Sequence, residues 1–208
     1  SDTYFSSTSD AEEALGEDLN GDTTIGLNTA NLVHVNSDTT NAVLRIDAES
    51  GALFIEDDPT GNPNVVTPIL DAYNNAPNFN FSYVDGADGS GSYYFNNSEA
   101  YAVAAQDSGG YKLAVSYSYG YNYTTDPNNL VEESYWVLYD ISQTGELDYG
   151  SYTYFSSVYA AEVALGEDLS ADGEIGLNTA NLGQVSSDTT DAVLRIDAES
   201  GALFIEDD

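Results

Sequence analysis

The chain has 208 residues, of which 36 are acidic and only three are Lys or Arg, so its formal net charge is -33. Three cations cannot neutralise a run of phosphates, which excludes nucleic acid as a partner, and anionic membrane surfaces repel such a chain. The sequence has no Cys and no apolar run of membrane-spanning length. Stability therefore has to come from a core or from bound metal, and we expect no membrane insertion.

The sequence repeats itself with a period of 150 positions. Residues 2–58 align with residues 152–208 without a gap, and about three quarters of the aligned residues are identical. Solenoid units are roughly 20–50 residues long, so a period of this length suits a string of domains instead. The predicted division is a partial repeat at 1–58, a β-rich middle at 59–150 and a second copy of the partial repeat at 151–208.

The first predicted element is a short helix at residues 11–15, with N-cap candidates at residues 7–10 and acidic residues in its first turn. A loop rich in Asp, Asn and Gly follows. A β-hairpin is then predicted over residues 42–56, with Gly51 in its turn. Residues 57–68 contain three prolines and are predicted to form a linker or a long loop.

The middle of the chain is predicted to be a series of antiparallel strands separated by turn signals, Asn96-Asn97 among them. The candidate strands lie at residues 79–83, 92–95, 100–105, 111–119, 134–140 and 146–155. A second helix and loop then close the period. The predicted fold class is α+β, mainly antiparallel β, with one short helix before each EF-hand-like or dockerin-like loop.

Each loop places oxygen-bearing groups at alternate positions, which is how an EF-hand chelates Ca²⁺. The candidate ligands are, in the first copy, Asp18, Asn20, Asp22 and the backbone carbonyl of Thr24 and, in the second copy, Asp168, Ser170, Asp172 and the backbone carbonyl of Glu174. The predicted cofactor is therefore Ca²⁺. The alternative is a helix C-terminus followed by a turn rich in Asp and Asn.

An EF-hand also needs Gly at position 6 of its loop and a bidentate Glu at position 12. Position 6 is Thr23 in the first copy and Gly173 in the second, and position 12 is a threonine in both. Glu12 and Glu162 lie six residues before the first loop aspartate. We predict that these two carboxylates fold back over the loops and supply the missing ligand.

Residues 12–26 and 162–176 carry the pattern Glu-x-x-hydrophobic-x-x-Asp-Leu-Asn-x-Asp-Gly-x-Ile-Gly, with single departures, and weaker matches lie at 110–113 and 135–145. The pattern resembles the closing motif of tryptophan-rich repeat domains in large exported bacterial proteins. The chain departs from that family by having Tyr where the family favours Trp, since Trp136 is its only one. The resemblance implies export to the cell surface or medium, tandem repeats and calcium, and it implies no activity.

Two further features of the sequence are candidate sites. His34 is the only histidine and is replaced by Gln184 in the other copy, so catalysis is not expected and the chain is predicted not to be an enzyme. Asp85, Asp88 and Ser90 could hold a third cation, but a solvated turn is the favoured interpretation.

The leading functional prediction is a calcium-stabilised structural repeat of a secreted or cell-surface, adhesin-like bacterial protein. Its predicted partners are Ca²⁺ and neighbouring repeats of the same chain. The alternative is a carbohydrate-binding module, because the tyrosines at positions 117, 119, 121 and 123 would share one face of a strand and could stack on glycans. Tyrosine is also common in β-strands, so ordinary sheet packing is the favoured interpretation of these residues.

Overall fold

The computed structural model describes residues 5, 8–35, 42–57, 66–79, 81–85, 93–122, 131–184, 192–197 and 203–207. The helices in these ranges are α1 (Thr8–Leu15) and α2 (Val158–Leu165). The strands are β1 (Leu32–His34), β2 (Ala42–Asp47), β3 (Leu53–Asp57), β4 (Val66–Pro68), β5 (Phe81–Asp85), β6 (Tyr93–Ala105), β7 (Tyr111–Asn122), β8 (Val131–Ile141), β9 (Leu147–Phe155), β10 (Leu182–Gln184), β11 (Ala192–Asp197) and β12 (Leu203–Asp207). Within the described ranges, neither helix has the length and apolar character needed to cross a membrane.

The strands form three antiparallel sheets, and each sheet follows the order of the chain. The first sheet contains β1 to β4, the five-stranded sheet contains β5 to β9, and the third sheet contains β10 to β12. The predicted mainly antiparallel β fold with short helices is therefore confirmed. The third sheet repeats the first one in register, because Leu194 faces Ile205 as Leu44 faces Ile55.

The β2–β3 hairpin forms where the sequence predicts it. Asp47 accepts the amide hydrogens of Glu49 and Ser50 at 3.0 and 2.7 Å, which closes the turn before Gly51. Across the hairpin, Arg45 pairs with the buried carboxylate of Glu56, and its Nε lies 2.7 Å from Oε2. One of the few cations of the chain thus neutralises an acid on the first sheet.

The first sheet packs on one face of the five-stranded sheet, here called the front face. The hydrophobic residues of this layer are fully or almost fully buried, and they include Leu44, Leu53 and Ile55 from the first sheet, Val103, Leu113 and Val115 from the five-stranded sheet, and Ile69 and Phe79 from the segment that joins the two. They alternate along β7, so their neighbours in sequence point to the opposite face.

The opposite face of the five-stranded sheet, here called the back face, is covered by α2 and the loop that follows it. Ala114 and Leu138 of the sheet pack with Ala161 and Leu165 of the helix. Leu169 of the loop completes the cluster, and the half-buried Trp136 and Phe155 pack at its edge. The second helix and loop therefore complete the back of the sheet that precedes them.

Two details of the strand prediction are wrong. Residues 93–95 and 100–105 are parts of the single strand β6, which runs through Asn96-Asn97 without a turn, and residue 92 lies outside the described residues. The predicted linker at 57–68 ends in the edge strand β4, whose Val66 pairs with Glu56. Pro68 is compatible with an edge, where no ladder donor is needed on the outer side.

The predicted boundaries at 58/59 and 150/151 stay a prediction, but side-chain packing crosses both. The first boundary falls between β3 and β4, which pair with each other in the first sheet, and that sheet shares one core with the five-stranded sheet. The second boundary runs through β9 and separates the five-stranded sheet from α2, which covers its back face.

Candidate metal centre

Both loops begin where a short helix ends. The helices consist mainly of Ala, Glu and Leu, which favour helix, and they stop at Gly16 and Gly166, whose φ angles are 70° and 84°. The amide of each glycine donates to the carbonyl of Glu12 or Glu162 at 2.6 Å. The chain then turns back beside the helix, which brings the loop over the side chain of the same glutamate.

The carboxylate of Glu12 is fully buried and holds the first loop together. Its Oε1 accepts the amide hydrogens of Leu19 and Asn20 at 2.9 and 3.1 Å. Its Oε2 accepts the amide hydrogen of Gly26 at 3.1 Å, from the far end of the loop. One carboxylate thus joins both ends of the loop to the helix, and its desolvation is offset by three N–H donors.

Glu162 makes the same three contacts in the second copy. Its Oε1 accepts the amide hydrogens of Leu169 and Ser170 at 3.1 and 2.8 Å, and its Oε2 accepts that of Gly176 at 2.9 Å. This side chain is also fully buried. Glu12 and Glu162 fold back over the loops as the sequence predicts, but their observed partners are backbone amides. Their predicted role as metal ligands stays a prediction.

The acidic ligand candidates of the first loop lie on its outer side. Asp18 is exposed and accepts the amide hydrogens of Gly21 and Thr23 at 2.6 and 2.9 Å. Asp22 accepts the amide hydrogen of Thr24 at 2.8 Å and the side-chain amide of Asn28 at 3.0 Å. These two bonds hold the pKa of the Asp22 carboxyl below its ordinary value, the Thr24 amide having the larger effect. Asp22 is therefore an anion throughout the neutral range.

The other candidates occupy equivalent places. The side-chain oxygen of Asn20 accepts the amide hydrogen of Asp22 at 2.9 Å. In the second loop, Asp168 accepts the amide hydrogen of Gly173 at 2.8 Å, and Asp172 accepts that of Glu174 at 3.0 Å.

In the second loop, the hydroxyl of Ser170 points toward Asp168 and donates a hydrogen bond to its carboxylate at 3.3 Å. Both first aspartates accept the amide hydrogen of the residue at position 6, whereas their second bonds differ, because Asp18 accepts from Gly21 and Asp168 accepts from Asp172.

Each loop contains three further residues with positive φ. The last of them is glycine in both copies, Gly26 with φ 90° and Gly176 with φ 88°, and the copies place glycine at different ones of the other two. Position 4 is Gly21 with φ 81° in the first copy and Ala171 with φ 60° in the second. Position 6 is Thr23 with φ 71° in the first copy and Gly173 with φ 89° in the second. Both loops therefore adopt one backbone course, and in each copy a side chain occupies the left-handed region at a cost.

We expect Thr23→Gly to raise the free energy of unfolding of the first loop by about 1 kcal/mol, because a β-branched residue is strained at positive φ. Amide hydrogen exchange at Gly26 and Asn20 reports this local opening. The matched change Ala171→Gly should stabilise the second loop by a smaller amount, since alanine is less hindered than threonine there. Faster exchange in the Thr23→Gly variant would contradict the expectation.

The donor chemistry fits a weak calcium site. Asp18, Asn20 and Asp22 supply hard oxygen atoms at alternate positions, and the backbone passes position 6 in the conformation that an EF-hand glycine adopts. Among the described residues, however, no three acidic or histidine side chains come together as a metal-binding group. A site here would have two carboxylates, with amide, hydroxyl and carbonyl oxygens completing it. The possible third site cannot be described in the same way, since residues 86–92 lie outside the described ranges.

Tyrosine side chains cover the part of the front face that the first sheet leaves open. Tyr117 stacks on Tyr135 with ring centroids 5.1 Å apart, and Tyr135 contacts Tyr154 at the same distance. Tyr119 lies parallel to Tyr121 at 6.4 Å. Tyr123, the last tyrosine of the predicted face, lies outside the described residues. The predicted face thus exists for three of its four members and extends onto β8 and β9.

Two environments are distinguishable within this tyrosine face. Burial and the hydroxyl of Tyr139, 2.9 Å away, raise the pKa of Tyr117 well above its ordinary value. A hydrogen bond donated to Glu133 raises the pKa of Tyr119 to about 12. Tyr152 and Tyr154 are more than half exposed, with exposed fractions of 62% and 56%. The inner tyrosines therefore serve packing, and the outer ones remain accessible.

Comparison with models of known protein families, with curated proteins and with solved structures found no match. The resemblance to tryptophan-rich repeat domains therefore stays a prediction that rests on the loop motif.

Proposed function

We propose that this chain is a structural repeat of a secreted or cell-surface bacterial protein, and that Ca²⁺ stabilises its helix–loop motifs. The observation that carries the proposal is the recurrence of one loop construction 150 positions apart. In both copies a buried glutamate accepts three amide hydrogens, and both loops share the same three left-handed positions. A unit that recurs with its internal bonds intact suits an architectural role.

The placement of the second motif supports the same role. Leu165 and Leu169 are almost fully buried against the five-stranded sheet, so the motif contributes to the core. The carboxylates of the loops fix the backbone, because they accept amide hydrogens of the loop. The proposal therefore assigns the loops a stabilising role and no reaction.

Calcium would be held in the first loop by Asp18, Asn20, Asp22 and the carbonyl of Thr24, and in the second loop by the equivalent groups. It would supply positive charge to a chain with a net charge of -33. Relief of self-repulsion and loop closure would both stabilise the folded state. Because only two carboxylates contribute at each loop, we expect dissociation constants of about 10⁻⁴–10⁻³ M, the range of extracellular calcium modules.

Thermal melting with and without Ca²⁺ tests this proposal. At 10 to 100 times the dissociation constant, we expect the midpoint to rise by roughly 3–10 °C relative to EDTA. NaCl at matched ionic strength controls for screening of the acidic surface, and the double variant Asp18→Asn with Asp168→Asn controls for the loops. An equal rise in NaCl, or in the double variant, would refute a role for the loops in calcium binding.

A second candidate function is carbohydrate binding by the outer tyrosines. It is favoured by the stacked pair Tyr119 and Tyr121, since near-parallel rings on an open sheet can stack on sugar rings. Tyr119 also contacts Tyr135, which in turn contacts the exposed Tyr154. A glycan array with the variants Tyr119→Ala and Tyr121→Ala tests it. Tyr73→Ala is the matched control, because Tyr73 is 84% exposed and belongs to a different segment. If no glycan binds, the structural role is the only one of the two proposed functions that remains.

A further inference from the structure

The two helix–loop motifs have the same internal hydrogen bonds from their buried glutamates, but their leucines differ in exposure to solvent. Leu15 and Leu19 of the first motif have exposed fractions of 62% and 48%. The equivalent Leu165 and Leu169 of the second motif have exposed fractions of 6% and 2%. The whole difference arises from the five-stranded sheet, which precedes α2 and whose back face α2 covers.

The first motif keeps every residue that is buried in the docked second motif. Ala161, Glu162, Leu165 and Leu169 correspond to identical residues at positions 11, 12, 15 and 19. An alanine and two leucines spaced four apart thus form one apolar stripe on α1 and its loop. This stripe is hereafter called the α1 stripe.

The substitutions between the helices fall mainly where the docked helix meets solvent. Asp10 and Glu13 replace Ala160 and Val163, and both of these positions are exposed in α2, Val163 to 68%. Added charge there does not interfere with docking. The half-buried positions 158 and 159 also differ. Val158 packs at the edge of the cluster that contains the leucines and is Thr8 in α1, whereas Tyr159 contacts Phe204 of the third sheet and is Ser9 in α1. The stripe needed for docking is therefore intact in α1.

We infer that the α1 stripe is a docking surface for the back face of a second five-stranded sheet, supplied by a unit of this same sequence placed before it. The folding unit then runs from one β-hairpin to the helix–loop motif of the next sequence repeat, so that folding and sequence periods are out of phase. This inference rests on the proposed role as a tandem repeat, and it names the surface by which one repeat period is joined to the next.

A tandem chain tests the inference. Inserting a second copy of residues 2–151 after residue 151 places α1 behind a complete five-stranded sheet. The inserted residues 3–5 are identical to residues 153–155, so the last strand of that sheet is rebuilt almost unchanged. Leu15→Ala is then made either in the first helix or in the inserted helix, and Leu165→Ala is made in the last helix as the positive control.

We expect Leu15→Ala in the inserted helix to lower the urea midpoint, followed by Trp136 fluorescence, by about 1 M, as Leu165→Ala does. Leu15→Ala in the first helix should leave the midpoint unchanged. A Glu-specific protease provides a second measurement that does not depend on stability. Cleavage at Glu13 and Glu17 should be fast in the first motif and slow in the inserted one.

The inference would be overturned if Leu15→Ala left the urea midpoint unchanged in both helices and the protease cleaved both motifs at the same rate. A dimer of the unmodified chain that Leu15→Ala dissolves in sedimentation experiments would also overturn it, because the α1 stripe would then bind a second α1. Failure of calcium to raise the melting midpoint would refute the calcium proposal and leave the docking result intact, so the two failures are distinguishable.

Discussion

Leu169→Ala is expected to lower the free energy of unfolding by about 3 kcal/mol, whereas Leu19→Ala should change it by less than about 0.5 kcal/mol. The two residues occupy the same loop position, but Leu169 is 2% exposed beneath the five-stranded sheet and Leu19 is 48% exposed. Truncating Leu169 leaves a cavity next to Ala114 and Leu138. Urea unfolding followed by circular dichroism measures both changes.

Leu19 and Leu169 serve as controls for each other, because they occupy the same position in loops of the same backbone course. The difference between them is that the five-stranded sheet covers only Leu169. Similar losses in the two variants would mean that the first loop is also docked in solution. Similar insensitivity would mean that the second loop contributes nothing to the core, which would contradict the arrangement of the back face.

Glu162→Gln is expected to cost about 3 kcal/mol of stability, although it changes only one atom of the side chain. The carboxylate accepts three amide hydrogens while fully buried, and an amide presents a donor where one of these acceptors stood. The amide hydrogen of Gly176 or those of Leu169 and Ser170 would then lose their partner. Chemical denaturation is the measurement, and Glu174→Gln, an exposed change in the same loop, should be neutral.

The matching change Glu12→Gln separates loop closure from core packing. In the first motif we expect faster amide exchange at Leu19 and Gly26 and little change in the main unfolding transition, because that loop is not docked. A large loss of global stability from Glu12→Gln would show that the first motif is integrated into the rest of the fold. Unchanged exchange at both amides would show that the carboxylate does not hold the loop.

Local signals were sufficient to predict the hairpin and most strands. The β2–β3 hairpin follows from two short, mainly apolar runs separated by a turn that ends at Gly51, and its register needs nothing distant. Asn96-Asn97 misled the strand prediction because turn propensity is a local preference. Within β6 these residues face Tyr119 and Ser118 on the neighbouring strand, so sheet pairing overrides that preference.

The candidate site could be predicted only in outline. The spacing of Glu12 from Asp18 predicts that the carboxylate returns to the loop, but the identity of its partners depends on left-handed residues of the loop. One of these is Thr23, which no local rule marks as left-handed. The contrast between Leu15 and Leu165 could not be predicted from the motif at all. The motifs agree at every buried position, and the difference lies in the sheet that comes before one of them.

The offset between folding and sequence periods has a consequence for changes in chain length. In an array of several units, if one period of 150 residues is deleted or duplicated between two equivalent positions, every helix–loop motif that followed a five-stranded sheet before the change follows one afterwards. Residues 42–57 and 192–207 are identical, so even an exchange in the middle of the hairpin joins matching halves. The number of units can therefore change by recombination without bringing mismatched residues together in the core. The length of the array can then vary while the stability of each unit stays the same.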